Sequence, residues 1–191
     1  MASKKRKKGN IILYVLKNIL GTSLYLLMVL LITWFIVSFI GQKAAVNGNS
    51  MEPMLSNGDA IILDKITYRI HDPKRFDIIA FPYQYGNHKN YIKRIIGLPG
   101  ETVMIDENGI IYINGEILSE SYGREVIQSP GIAKNSITLG KDEYFVLGDN
   151  RNDSQDSRDP SVGPVKRDII IGRAWLRLWP FHSFGVLKHQ I

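Results

Sequence analysis

The residues of this sequence best suited to chemistry are a serine in a loop and a lysine in an apolar strand pattern. Ser50 stands in the segment NGNSMEPMLSNGD, where Gly48 permits close backbone approach and Pro53 restricts the chain. A serine hydroxyl is weakly acidic and acts as a nucleophile only beside a base. The segment therefore raises the hypothesis of a nucleophile, although a turn with a solvated hydroxyl explains the same residues.

The candidate base is Lys93, in the segment YIKRII at positions 91–96. Neighbouring side chains on a strand point to opposite faces, so one of the cations Lys93 and Arg94 accompanies whichever face packs inward. Burial lowers the pKa of a lysine, and bringing it from about 10.4 to about 7–8 costs roughly 4 kcal/mol. The two segments predict a Ser50–Lys93 dyad, provided that the fold brings both side chains within hydrogen-bond reach. The alternative is that YIKRII is an edge strand whose basic residues prevent aggregation with other strands.

Histidine is the more usual partner of a nucleophilic serine, but its four positions here do not support that role. The four are His71, His88, His182 and His189. Each lies among polar or terminal residues with no local triad pattern, so we interpret them as surface residues. The absence of Cys excludes disulfides, thiolate metal sites and cysteine nucleophiles.

The segment LGDNRNDSQDSRDPSVGP is the most polar part of the chain and follows the apolar run YFV. A calcium loop starting at Asp149 fails, because Arg151 would take the third ligand position and Ser154 the sixth, where Gly is needed. We therefore expect no metal and no cofactor. Four charged side chains of the segment are expected to pair and to stiffen a loop beside a site. They are Arg151, Asp153, Asp156 and Arg158.

The net charge of +6 comes mainly from the N-terminus, because positions 4 to 8 hold five Lys and Arg residues. Subtracting these five leaves the rest of the chain at +1, so no nucleic-acid-binding surface is expected. From Ile19 to Ile40, 22 positions carry no charge. As a helix this run spans about 33 Å, enough for a hydrocarbon core of about 30 Å. The excess of cations before it predicts a cytoplasmic N-terminus.

We therefore predict a basic cytoplasmic tail over residues 1–10, a transmembrane helix over 11–40 and an extracytoplasmic domain over 41–191. Short runs rich in Ile, Val, Tyr and Phe predict that this domain is a mainly β, antiparallel fold. Asn108-Gly109 and Asn114-Gly115 fit hairpin turns, and residues 106–140 are expected to form a smaller excursion. The predicted strands lie in AIILDK, RFDIIAFPY, YIKRII, TVMID, GIIYING, EYFVLGD and DIIIGRAWLRL.

Four segments in this order and spacing resemble the bacterial type I signal peptidases, membrane-bound serine proteases that remove signal peptides from exported proteins. The segments are NSMEPM, GDAIILDK, YIKRIIGLPG and GDNRNDSQDSR. The resemblance implies Ser50 as nucleophile, Lys93 as general base and Ser154 as a group that orients the Lys93 amine. It also implies an Asp156–Arg158 ion pair that supports the site. The remaining supporting positions are Gly48, Met51, Pro53, Asp149, Asn150 and Arg151.

Two residues depart from the family pattern. Met54 stands where the family usually has Thr, so any contact from that hydroxyl is absent. Gly48 stands where some members have a Ser that donates to the oxyanion, so the expected oxyanion donors are backbone groups, chiefly the Ser50 N–H. The resemblance further implies preprotein substrates with small residues at the first and third positions before the cut, a lipid-bilayer location and no nucleic-acid partner.

Three alternatives use related features. A membrane-anchored assembly factor of the pilus type, without catalysis, would share the fold, but the presence of both Ser50 and Lys93 favours an enzyme. A LexA-type self-cleaving repressor also uses Ser and Lys, but it would need a helical DNA-binding domain where this chain has an apolar span. A sortase requires Cys, which the chain lacks.

Overall fold

The computed structural model describes residues 2–35, 41–83 and 90–187, and backbone contacts divide the chain into two compact units, 1–40 and 41–191. The first unit contains helix α1 (Ala2–Phe35). Its 22 residues from Tyr14 to Phe35 are exposed and are apolar and long enough to cross a membrane. Residues 36–40 of the predicted span lie outside the described residues.

The second unit is built from short antiparallel strands, which confirms the predicted mainly β fold. Among the described residues, a short helix, α2 (Thr67–Ile70), and three 3-10 turns connect them. In chain order the strands are β1 (Gly41–Ala45), β2 (Ala60–Asp64), β3 (Ile78–Pro82), β4 (Asn90–Gly97), β5 (Thr102–Ile105), β6 (Ile111–Ile113), β7 (Glu116–Ile117), β8 (Ile137–Thr138), β9 (Glu143–Leu147), β10 (Val165–Lys166), β11 (Gly172–Trp179) and β12 (Gly185–Val186).

The strands form two sheets. The larger has the order β1-β2-β11-β3-β4-β9-β10, with β12 paired to β11, and the smaller has the order β7-β6-β5-β8. Asn108-Gly109 lies at the predicted turn between β5 and β6. Asn114 and Gly115 connect β6 to β7 with φ values of 53° and 86°, the left-handed conformation that a tight hairpin of this kind requires.

Strand β4 is internal, between β3 and β9, so the edge-strand interpretation of YIKRII is wrong. Lys93 and Arg94 point to opposite faces, yet both are buried, with exposed fractions of 4% and 0%. The reason is that apolar side chains cover both faces of the strand. Ile95 packs in one hydrophobic cluster, and Ile92 and Ile96 pack in two others.

Three other segments test the sequence predictions in detail. The DIII part of the last predicted strand does not extend it, because Arg167–Ile169 form a 3-10 turn and Ile170 is buried in a cluster with Tyr68. The polar stretch 116–140, within the predicted excursion, is mostly loop and holds the short strands β7 and β8. His71 and His182 are exposed as interpreted. The other two histidines, His88 and His189, lie outside the described residues.

The sheet order brings three segments of the chain to one place. Ser50 lies in the loop between β1 and β2, and Lys93 lies on β4. Because β9 pairs directly with β4, the polar loop that follows β9 begins beside Lys93.

Candidate active site

The structure brings Ser50 and Lys93 into direct contact. The Lys93 Nζ is 2.7 Å from the Ser50 Oγ and is hydrogen-bonded to it. The two residues are 43 positions apart, so no local pattern places them together. The contact meets the condition on which the predicted dyad depended.

Burial lowers the pKa of Lys93 to about 8, because an ammonium ion is poorly solvated among apolar groups. The negative charges of Asp156 and Asp149 act in the opposite direction and raise this pKa, whereas Arg158 lowers it further. A lysine with a pKa near 8 is partly neutral at physiological pH and is able to accept a proton there.

The loop that carries Ser50 is anchored by its apolar side chains and by its glycine. Met51 and Leu55 are fully buried in one hydrophobic cluster, whereas Pro53 is exposed and follows a cis peptide bond. Gly48 has a φ of 94°, which a residue with a Cβ rarely adopts, and its N–H donates to the Asn57 Oδ1 at 2.9 Å. The loop therefore presents Ser50 from a fixed backbone.

The polar loop after β9 is joined to the Ser50 loop through Asn150. Its backbone N–H donates to the Ser50 carbonyl at 3.1 Å, and its side-chain Nδ2 donates to the Asn49 carbonyl at 3.2 Å. Ser154 of the same loop packs against Gly148. The Ser154 Oγ is buried and has no hydrogen-bond partner among the described residues.

We expect Gly148→Ala to reduce activity strongly, because the site leaves no room for a methyl group at position 148. A Cβ there would overlap both the Ser154 Oγ and the backbone carbonyl of Ser50, and the backbone is unable to move aside cheaply. Overpacking of this kind typically costs about 1–3 kcal/mol and would displace Ser50. The measurement is kcat/KM for peptide hydrolysis together with the melting temperature.

The matched control is Gly140→Ala, where the three atoms nearest to an added Cβ all belong to the flexible side chain of Glu143. Equal activities for the Gly148→Ala and Gly140→Ala variants would contradict the argument from close packing.

Arg94, on the opposite face of β4 from Lys93, forms a buried bidentate ion pair with Asp149. The Arg94 Nε and Nη2 donate to the two Asp149 carboxylate oxygens at 2.7 and 2.6 Å, and Nη1 donates to the Phe76 carbonyl at 2.9 Å. The guanidinium carbon lies 3.7 Å from the centre of the Tyr122 ring, close enough for a cation–π contact. This cluster fixes the start of the polar loop to β4.

A second buried ion pair, between Asp156 and Arg158, holds the other part of the loop. The Arg158 Nε and Nη2 donate to the Asp156 carboxylate, both at 2.8 Å, and the Gly148 N–H donates to the same carboxylate at 3.0 Å. The expected pairing within the loop is thus present for Asp156 and Arg158.

The expected pairing of the other two charged residues within the loop is wrong. Arg151 pairs with Glu120, from the segment between β7 and β8, at 2.8 Å, and Asp153 is exposed. The cause is tertiary: the segment between β7 and β8 supplies a carboxylate that sequence proximity does not indicate.

Sequence reasoning missed several residues around the dyad. A cleft of about 230 Å³ is lined by Ser50, Lys93, Tyr91 and Gln155 among others. Tyr91 lies on the same face of β4 as Lys93. The alternation of side chains along a strand was therefore the signal that could have indicated it. Nothing in the sequence indicated Gln155. On β11, Arg177 donates to the carbonyl of Met54 at 2.6 Å and so holds the far end of the Ser50 loop.

A serine hydroxyl bonded to a buried lysine of lowered pKa, on an antiparallel β fold, is the arrangement of a serine hydrolase that uses lysine as its base. The sequence profile of the family described as signal peptidase, peptidase S26, matches residues 19–179. The chain belongs to this family and is a serine endopeptidase. The family and the N-terminal apolar helix fit a protein anchored in a membrane.

The chain is also similar to individual members. It is 39% identical over 155 residues to a probable signal peptidase I-2 of Synechocystis sp., covering 78% of this chain and 68% of that protein. It is 40% identical over 159 residues to signal peptidase I of Bacillus caldolyticus, covering 77% and 84%. A crystal structure of a signal peptidase I from Enterococcus faecalis V583 is 39% identical and covers 55% of this chain and 97% of its own, with a TM-score of 0.45.

Proposed function

We propose that this protein cleaves N-terminal signal peptides from exported preproteins, with Ser50 as the nucleophile and Lys93 as the general base. The observation that carries the proposal is the 2.7 Å hydrogen bond between the Lys93 Nζ and the Ser50 Oγ. Membership of the signal peptidase family supplies the class of substrate.

The chemistry follows from the dyad. Neutral Lys93 takes the proton of the Ser50 hydroxyl as the Oγ attacks the carbonyl carbon at the end of the signal peptide. The resulting ammonium returns the proton to the leaving amine, and an ester joins Ser50 to the signal peptide. Lys93, neutral again, takes a proton from a water molecule that attacks this ester. As the ester bond breaks, the Lys93 ammonium returns that proton to the Ser50 Oγ, and the signal peptide leaves as a carboxylic acid that ionises in water.

The negative oxygen of each tetrahedral intermediate requires hydrogen-bond donors. The Ser50 N–H is suited to this role, because it donates to no acceptor among the described residues. Gly48 carries no side chain that adds a donor. Removal of one such donor costs about 10²–10³ in kcat in enzymes of this kind, so a backbone donor in the right place is important.

The supporting residues act by holding these groups. In our proposal the Ser154 hydroxyl orients the Lys93 amine. What supports this role is that the Ser154 Oγ is buried and its capacity to accept a hydrogen bond is not used by any described residue. The buried pair of Asp156 and Arg158 fixes the loop that carries Ser154. The position of Asn150 against the Ser50 carbonyl supports a role in shaping the nucleophile loop.

The N-terminal cations and the edge strand β1 support a membrane orientation and a mode of substrate binding. The five cations at positions 4 to 8 favour a cytoplasmic N-terminus, with the catalytic domain on the outer side of the cell membrane. Strand β1 is an edge strand of the larger sheet. It lines a cleft of about 750 Å³ that extends to β4. An extended substrate would add to this edge, with small residues at its first and third positions before the cut.

The direct test is a cleavage assay with the full-length protein in detergent and a preprotein substrate. We expect a single cut at the signal-peptide junction, identified by the mass and N-terminal sequence of the product. A non-catalytic assembly factor of the same fold would leave the preprotein intact, and that result would overturn the proposed function.

The pH dependence of kcat/KM should report the pKa of Lys93 in the free enzyme. Only neutral lysine accepts the serine proton, so we expect kcat/KM to rise about tenfold per pH unit up to a pH of about 8 and then to level off. Circular dichroism at each pH would verify that the protein remains folded. A profile that keeps rising with the same slope beyond pH 10 would contradict the buried, neutral base.

A further inference from the structure

The side chain of Tyr91 forms part of the wall of the cleft that contains the dyad. Tyr91 shares the lining of this cleft with Ser50 and Lys93, and its ring centre is 5.0 Å from the Lys93 Nζ. On the other side, the ring is stacked on that of Tyr83, with centroids 4.6 Å apart and planes at 8°. The ring therefore has one face fixed by an aromatic neighbour.

The edge of the Tyr91 ring is held by Gln155. The Tyr91 hydroxyl donates to the Gln155 Oε1 at 2.6 Å. The Gln155 Nε2 donates to the Tyr83 hydroxyl at 3.2 Å and to the Ser161 Oγ at 2.9 Å. One amide thus connects the polar loop to both stacked tyrosines, one at the end of β3 and one on β4.

Gln155 is well placed to act on the cleft, because it follows Ser154 directly and precedes the buried Asp156. Its own side chain lines the same cleft as the dyad. The backbone on its C-terminal side is held by the Asp156–Arg158 ion pair, so the amide reaches the tyrosines from a fixed position.

We propose that Gln155 is a specificity-determining residue, which positions the Tyr91 ring and so limits the size of the substrate residue just before the cut. The inference rests on the proposed function. The carbonyl that Ser50 attacks belongs to that substrate residue, so its side chain enters the cleft that Ser50 and Tyr91 line. A ring held by a stack and by one hydrogen bond to the Gln155 amide rejects a larger side chain, whereas a ring free at its hydroxyl end yields to it.

The test compares two preprotein substrates that differ only at this residue, one with Ala and one with Val, using the full-length enzyme in detergent. For wild type we expect a strong preference for Ala. In the Gln155→Ala variant we expect the ratio of the two kcat/KM values to fall by roughly tenfold, which is at the low end of the selectivity that enzymes gain from one carbon of difference, whereas Val exceeds Ala by two carbons. The matched control is Gln128→Ala, an exposed glutamine on the loop before the 3-10 turn Gly131–Lys134.

A second variant separates this role from a general loss of structure. Tyr91→Phe keeps the ring and removes its hydrogen bond to Gln155, so the ratio should shift in the same direction. In the double variant the two shifts should not add, because both remove one interaction. An equal loss for both substrates in Gln155→Ala, or additive shifts in the double variant, would overturn the inference.

The proposed function and this inference fail in different ways. A wild-type enzyme that cleaves neither substrate would overturn both. A wild-type enzyme that cleaves, with an unchanged Ala-to-Val ratio in the Gln155→Ala variant, would overturn the inference alone.

Discussion

Replacing Lys93 with Met is expected to abolish preprotein cleavage and, at neutral pH, to make the catalytic domain more stable. The methionine fills a similar volume but has no group that accepts the Ser50 proton. Loss of a general base typically reduces the rate by about 10²–10⁴-fold, and in the proposed mechanism the same amine serves both the acylation and the hydrolysis step. We therefore expect activity below the detection limit in the assay for preprotein cleavage.

The gain in stability follows from the pKa of Lys93. Burial lowers it from 10.5 to about 8, so the folded state binds the lysine proton more weakly than the unfolded state does. Below pH 8 both states carry the proton, and the folded state bears a cost of about 3 kcal/mol, which disappears as the pH rises through the range from 8 to 10.5. Lys93→Met removes this cost, and urea unfolding at pH 7 should detect the difference.

Ser50→Ala is the matched variant for this experiment. It removes the nucleophile and should also abolish cleavage, but it leaves the lysine buried and should not produce the same gain in stability. Full cleavage activity in either the Lys93 or the Ser50 variant would refute the dyad. Unchanged stability of Lys93→Met would show that the amine costs the fold little.

Replacing Arg94 with Met is expected to destabilise the domain by about 3–5 kcal/mol, because it leaves the Asp149 carboxylate buried without its partner. The side chains of Arg94 and Asp149 are 0% and 1% exposed, so water is unable to replace the lost hydrogen bonds. Burial already raises the pKa of Asp149, and Arg94 opposes this effect. Urea unfolding would measure the change in the free energy of unfolding.

The double variant Arg94→Met/Asp149→Leu tests the cause. If the uncompensated charge is responsible, removing the second charge should restore much of the stability, since apolar residues often replace buried ion pairs at little cost. Lys134→Ala breaks the exposed pair with Glu107 and should leave the unfolding curve unchanged. A double variant as unstable as Arg94→Met would argue that Arg94 stabilises the fold by packing alone.

The sequence predicted those features of the site that depend on residue type and local periodicity. Ser50 in a glycine- and proline-bracketed loop and Lys93 in an apolar strand were identifiable because each is chemically out of place in its segment. The hairpin turn at Asn108-Gly109 and most strand positions followed from local propensity. The apolar run that precedes the domain was recognisable by its length alone.

The tertiary structure decided which of these residues meet and how deeply they are buried. Strand alternation predicts that one of two adjacent cations points inward, but only the packing of both faces of β4 buries Lys93 and Arg94 together. The partner of Arg151 comes from the segment between β7 and β8, and the amide that holds Tyr91 comes from a loop 64 positions away. The physical reason is that periodicity reports only on residues close together in the sequence. The loss of solvation that lowers the pKa of Lys93 is caused by segments that are distant in sequence and come together only on folding.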